Sequence, residues 1–339
     1  MAGSEAQKST RARFSEDTPK DHTPLLNGLI DDMAHYTPVE AIELASRTGA
    51  KKGHMRPEAV FFSAISAGCL LSFASASYLI IGTAPKLQED APGVLKMLGA
   101  LIFPFGLVII TITGADLCTA SFMYTTLAVF HRRLSLPRML LHWLLTFCGN
   151  LAGALIVVIL IFGAGGIFAK DPYRSHVAEF ATGKQVTPEF YQIFLRGIGC
   201  NWLVALGLYI SLFARDLVGK VVGLWWPVFA FVLCGQDHVV ANMFFVPMAL
   251  WLGDTPGLTL TLYVWKGIIP ALLGNIVGGS VFVAGYYWFI HLRDAEEAVL
   301  VDGAEFRGPQ VGLLGRAVGA QKDVEQGHSD GAEVRGRID

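Results

Sequence analysis

Asp237 and His238 stand side by side near the centre of an apolar run from about residue 221 to 252, directly after Gly235-Gln236. Ionisable residues at that depth of a membrane-length segment are costly, and they face a bundle interior or a water-filled path. The glycine before them predicts that the helix is interrupted there, which backbone tolerates only within protein or beside a cavity. An interrupted helix offers free N–H groups and the positive end of a half-helix dipole, both of which favour an anion. The C-terminal end of the other half would favour a cation, so the break alone leaves the charge of a solute open. An imidazole can donate to a carboxylate-sized anion and can exchange a proton near neutrality. A lone histidine is most often a satisfied core residue, but mid-depth beside a break is an unusual place for one. His238 is therefore expected to be the functional centre of a transmembrane solute path.

A second apolar stretch repeats the pattern with Gly114-Ala115-Asp116, and Thr119 adds a hydroxyl beside that break. An aspartate next to a break can accept from the freed N–H groups and fix the loop without touching solute. Asp116 and Asp237 are expected in that loop-stabilising role. Asn201 and Asn242 lie in apolar helices and need hydrogen-bond partners there. They are expected to tether the breaks or to line the path.

The elements that position these residues follow from composition. Of 339 residues, 53% are hydrophobic and 16% charged, with the apolar ones concentrated between about 60 and 290. That pattern excludes an ordinary soluble chain and predicts an all-α polytopic membrane protein with polar ends. Six spans long enough for the hydrocarbon core run roughly 59–82, 94–131, 138–168, 189–213, 220–253 and 258–291. The second and fifth are too long for one straight crossing and carry the two breaks. Ahead of them, Thr37-Pro38-Val39-Glu40 reads as a capping box with proline at the first helical position. The helix it opens has a partly apolar face at Val39, Ile42, Leu44 and Ala45, and is expected to end at Gly49 with Lys51 and Lys52. It should lie on the membrane surface or against neighbouring subunits, a plain soluble helix being the bland reading.

The third and sixth spans match at Gly149-Asn150-Leu151-Ala152-Gly153 and Gly274-Asn275-Ile276-Val277-Gly278. The asparagines are 125 residues apart and the two break aspartates 121 apart, so one register relates the halves. Three spans per half makes them inverted repeats, and corresponding interrupted helices point to a midplane site. The glycines of these segments read as small-residue helix packing alone. Nine Lys and Arg flank one face and five the other, which places both termini in the cytoplasm. Residues 1–34 and 294–339 are expected to be disordered cytoplasmic tails around a 35–293 transmembrane domain.

Other functions find little support. A net charge of −2 argues for no nucleic acid partner. The five cysteines lie in apolar segments without metal-ligand spacing, so no metal or other cofactor is expected. A membrane-embedded enzyme would need a nucleophile with its base, or a cluster such as HExxH, at mid-depth. Neither is present. A neutral-solute channel lacks Asn-Pro-Ala pairs and has no need of His238.

Three segments carry a family resemblance: Gly114-Ala115-Asp116-Leu117-Cys118-Thr119, Cys200-Asn201-Trp202-Leu203-Val204, and Asp237-His238-Val239-Val240-Ala241-Asn242-Met243. In order and spacing they resemble the signatures of the formate/nitrite transporter family, and residues 37–40 and 49–52 resemble its N-terminal helix. The resemblance covers about residues 35–293. It implies an aquaporin-like six-helix bundle of two inverted three-helix repeats, a homopentamer in the plasma membrane, and one solute path per protomer. It also implies transport of small monovalent anions such as nitrite and formate, often with a proton. The polar tails favour a fungal nitrite or formate transporter; a passive anion or neutral-solute channel is the alternative. The family's central histidine falls on His238, its loop threonine on Thr119, and its paired asparagines on Asn201 and Asn242. Its constrictions fall on Phe103 and Phe231 on one side, and on Leu107, Leu117 and Val222 on the other. Its vestibule lysine falls near Lys184, one residue out of register, with Arg196 as a further basic group at that mouth. Cys118 departs from members with an aromatic residue there, so the outer gate is expected to be wider.

Overall fold

The computed structural model describes residues 35–253, 255–293 and 299–316. Eleven helices can be followed along them: α1 Pro38–Gly53, α2 Pro57–Gly82, α3 Pro85–Asp90, α4 Pro92–Thr113, α5 Cys118–Phe130, α6 Leu136–Gly163, α7 Tyr173–Ala181, α8 Phe190–Ser211, α9 Leu217–Leu233, α10 Val239–Leu252 and α11 Leu260–His291. Among the described residues the only β pairing is the isolated Val301–Ala304 bridge. Five helices (α2, α4, α6, α8 and α11) are long and apolar enough to cross a membrane. The pairs α4/α5 and α9/α10 are the interrupted second and fifth spans. The chain is an integral membrane protein with the aquaporin-like arrangement of two three-span repeats.

Both interruptions are made the same way. α4 ends at Gly114 with φ +76°, and two residues after α9 Gly235 has φ +70°. Both values lie in the left-handed region, which a side chain disfavours and glycine does not. The chain then runs extended for a few residues before α5 and α10 begin.

α1 opens with the expected capping box: the Glu40 N–H donates to Thr37 Oγ at 3.3 Å and the Thr37 N–H to Glu40 at 2.8 Å. Its packing differs from the expectation of a membrane-surface or intersubunit helix. Ala41, Ile42, Ala45 and Ala50 are buried against the chain's own α5 and the loop after it. Gly49 does not end the helix. It sits inside, where a Cβ would overlap the Tyr124 carbonyl, so its smallness permits backbone contact between α1 and α5.

Buried charge fixes this helix. Glu43, 1% exposed, accepts two hydrogen bonds from Arg133 at 2.8 and 2.9 Å and one from Arg47 at 2.8 Å. Burial pushes the Glu43 carboxyl up, but the Arg133 and Arg47 bonds outweigh it and hold the group below the usual carboxylate range. Residues 299–316 lie on the same cluster. Arg47 donates to the Val299 and Ala304 carbonyls, Arg133 stacks on Phe306, and the Val311 N–H reaches the Arg132 carbonyl. The disordered tail expected from residue 294 therefore includes a stretch with defined contacts, because its backbone carbonyls complete an arginine already held in place. Residues 1–34, 294–298 and 317–339 of the expected tails lie outside the described residues.

Candidate functional site

Each break is tied down by an asparagine from the next span, and the two sets of bonds correspond one for one. Asn150 on α6 donates to the Asp116 carbonyl at 2.9 Å and to the Ala64 carbonyl at 2.8 Å, while accepting from the Cys118 N–H at 2.9 Å. Asn275 on α11 donates to the Asp237 carbonyl at 2.9 Å and to the Gly197 carbonyl at 2.8 Å, while accepting from the Val239 N–H at 2.9 Å. The Asp116 N–H reaches Ser63 and the Asp237 N–H reaches Arg196, each at 3.4 Å. Neither asparagine was expected at the site, although both stand in the repeat that related the halves. A mid-span break leaves backbone groups that only neighbouring helices can satisfy, and a carboxamide supplies a donor and an acceptor together.

The aspartates anchor cations. Asp116 Oδ1 accepts from Lys52 at 2.8 Å and from Ser121 at 3.1 Å. Asp237 Oδ1 accepts from Lys184 at 3.0 Å and from the Asn242 amide at 3.2 Å. Lys184 also donates to the Gln236 carbonyl at 2.7 Å. The lysine expected at the mouth is thus a brace of the second break, and Lys52 is its counterpart at the first. Asn201 donates to the Thr119 carbonyl at 3.1 Å and the Asn275 carbonyl at 2.7 Å, linking the two breaks. The side-chain oxygens (Oδ1) of Asn201 and Asn242 are buried without a hydrogen-bond partner among the described residues.

The halves match in scaffold and differ in chemistry. One register step places Leu117 where the second break has His238. His238 caps α10, its Nδ1 accepting the Ala241 N–H at 3.2 Å. That bond requires a bare Nδ1, so the neutral ring carries its proton on Nε2. Nε2–H donates to Thr119 Oγ1 at 3.1 Å, which leaves the Thr119 hydroxyl hydrogen as the free donor of the pair.

Aromatic rings pack around His238. Phe231 stacks on His238 with centroids 5.9 Å apart, and Phe103 meets Phe231 edge-on at 5.9 Å. Tyr78 packs on Phe103, Phe180 and Phe245. These rings, His238, Asn242 and Lys184 line a chamber of about 30 Å³, room for a solute of water's size or a little more but not for a hydrated ion. Through Tyr78, Phe180, Lys184 and Gly235 it adjoins an outer vestibule of about 730 Å³, which Lys96, Arg196, His176 and Glu179 also line. On the side of α1 lies a third cavity, about 290 Å³, lined by His54, Arg56, Arg138 and His142 among others.

The remaining expected residues divide. Phe103 and Phe231 meet as a pair at the chamber. Leu107 and Leu117 are buried at 3% and 1% and join the core between the breaks. Val222 does not join them: it is 49% exposed on the outer side of α9, whereas Val204, one turn after Asn201, is buried in the same core as the two leucines. Cys118 is fully buried at the start of α5 and lines none of the three cavities. Tyr78, Phe180 and Phe245 went unrecognised because aromatic residues in apolar helices carry no distinguishing spacing. All five cysteines are free.

Comparison with known proteins places this arrangement. The sequence profile described as "Formate/nitrite transporter" matches residues 39–289. A "Probable formate transporter" of Methanothermobacter thermautotrophicus is 35% identical over 246 residues, covering 66% of this chain and 89% of its own length. The "Formate channel FocA" of Escherichia coli K12 is 30% identical over 274 residues, covering 76% and 95%. A solved "Pentameric formate channel with formate bound" superimposes with a TM-score of 0.61 at 31% identity, covering 70% of this chain and 98% of that one. A solved "FNT family ion channel" gives 0.68 at 25% identity, covering 74% and 98%. With its profile match running from α1 to α11, the chain belongs to the formate/nitrite transporter family.

Proposed function

We propose that the chain carries small monovalent anions, nitrite or formate, across the membrane together with a proton, through one path in each subunit of a homopentamer. The plasma membrane is the proposed location, with both termini in the cytoplasm. The observation that supports this reading most is the His238–Thr119 pair at the end of the aromatic chamber. The Thr119 Oγ–H, polarised by the Nε2–H that its oxygen accepts, is a donor for a triatomic anion, while the ring walls exclude its hydration shell. A bare charge pays many kcal/mol for such desolvation. Accepting a proton at the chamber removes most of that cost, and Lys96 and Arg196 in the vestibule supply positive charge that gathers the anion beforehand.

One feature favours a second reading. The Nδ1 of His238 is committed to the α10 cap, so the ring can donate from Nε2 but relays a proton through both nitrogens only by giving up that cap. A passive anion channel needs the donation alone.

Uptake of nitrite and of formate into proteoliposomes, with and without an inward proton gradient, separates the two. Uptake that rises with the gradient supports symport. Uptake indifferent to it identifies the channel, and no uptake of either anion overturns both. His238→Phe, which keeps ring stacking but removes the donor, should abolish anion flux; unchanged flux would remove His238 from the path.

A further inference from the structure

The first break carries a titratable group that the second lacks. His142 on α6, 3% exposed, has its Nε2 3.2 Å from Ser121 Oγ and 3.6 Å from Asp116 Oδ2. Ser121 donates its own proton to Asp116 Oδ1 at 3.1 Å, so its oxygen accepts from His142 Nε2–H. Nδ1 is then the bare nitrogen. It has no hydrogen-bond partner among the described residues, and the ring lines the 290 Å³ cavity on the side of α1. Asp116 Oδ2 is buried with no hydrogen bond of its own, a state that an adjacent imidazolium relieves. The 125-residue register puts Gly267 at the matching place, filled by the Gln185 side chain, and among the described residues no histidine ring pairs with the Asp237 carboxylate as His142 does with Asp116.

We propose that His142 is a second proton-accepting residue of the path, at the mouth on the side of α1, and that its protonation raises the occupancy of that mouth by the anion. The inference rests on the anion-transport reading. Proton uptake at Nδ1 places a cation against Asp116 and adds positive charge to the cavity. The charged and titratable groups around the ring are Asp116 from the break with Lys52 bonded to it, and His54, Arg56 and Arg138, which line the same cavity; Glu58 at the start of α2 pairs with Arg56. Lys52 is spent on Asp116 and Arg56 pairs with Glu58 at 3.3 Å. Arg138 and a protonated His142 are left to hold a small anion.

The test uses the full chain in vesicles whose orientation is sorted by protease access to an N-terminal tag, with pH varied on the α1 side only. Formate affinity on that side should rise about fivefold between pH 8 and pH 6, the low end of ordinary site coupling. His142→Gln keeps a donor for Ser121 and should be flat over that range while keeping the response to pH on the opposite face. A wild-type chain indifferent to α1-side pH, or an H142Q variant with the same response, overturns the proposal. Formate protection against heat in detergent, at pH 6 and pH 8, repeats the comparison without flux. pH-dependent protection lost in H142Q, in a chain that moves no anion in vesicles, would overturn the transport reading and support the proton site. Should H142Q fail to assemble, His142→Asn takes its place.

Discussion

Asn150 and Asn275 show what a membrane-embedded break requires of single residues. Each carboxamide holds two carbonyls and one N–H that water would otherwise have to meet. Replacing either by Ala leaves these buried backbone groups unpaired, at about 1–3 kcal/mol for each lost partner. Asn150→Ala and Asn275→Ala should therefore lower the melting temperature by similar amounts, since their bonds correspond one for one. A melt in mild detergent checks this, and a large inequality would contradict the equivalence of the two breaks. Lys184→Met belongs to the same scale. It leaves Asp237, 0% exposed, without its cation, and should destabilise by about 2 kcal/mol, less than the loss of a wholly buried partner because Lys184 keeps some exposure. Thermal melts of K184M and of the D237N/K184M double variant decide it: the double variant should recover part of the loss. His238 stood out in the sequence because mid-depth after Gly-Gln-Asp is an unusual place for a satisfied core histidine; that its ring also caps α10 did not. The asparagines were visible as a repeat but not as tethers, since sequence separates Asn150 from Cys118 by 32 residues and cannot show which N–H groups a break sets free.

Among the elements, α1 is the one held by ionisable groups outside the membrane span. Burial lowers His131 to about 4, and Arg133 pushes in the same direction; its Nδ1 lies 2.9 Å from Ser46 Oγ on α1. Glu43 is also held below its usual value, by the arginines that outweigh its burial. Both groups bind protons less readily folded than unfolded, so their stabilisation is complete above about pH 6.5, the free histidine value. It falls as pH drops from there towards 4, while unfolded chains take up a proton that folded His131 refuses. It falls further through the Glu43 range below. Melting temperature scanned from pH 7 to pH 4 should decline through this window, and His131→Asn should flatten its upper part. Gly49→Val tests the same packing at neutral pH. A Cβ there meets the Tyr124 carbonyl, so α1 must move away from α5 and protease access at residues 299–316, held by Arg47 and Arg133, should increase. The cap of α1 was readable from four residues. Its docking on α5 was not, because Gly49 signals a terminus in sequence as easily as a backbone contact.

For the whole molecule, the arrangement of the path decides how subunits share the work. The chamber draws its lining from distant parts of the chain: Phe103 from α4, Phe231 and His238 from the two sides of the second break, and Tyr78 and Phe245 from α2 and α10, with Thr119 of α5 bonded to His238. The sixfold span pattern and the 125-residue register were legible because membrane length and repeat spacing are properties of the chain itself. The assembly of the chamber was not, since it depends on helices far apart in sequence meeting around His238. The proposed homopentamer, with one chamber in each subunit, is expected to hold five separate paths, its symmetry serving packing rather than chemistry. The exposed apolar side chains of α6, α8 and α11, such as Leu160, Leu195 and Trp265, give it surface to bury against copies or lipid. In mild detergent the complex should run at five times the 36.7 kDa chain mass. Mixed pentamers of wild-type and His238→Phe subunits then distinguish independent from shared paths. With equal amounts of the two subunits, independent paths leave roughly half the flux, whereas a path needing all five would leave roughly one thirtieth. Flux that falls in proportion to the variant's share, over several mixing ratios, is the expected result; a steep fall would mean that the chamber within one chain is not where the anion crosses.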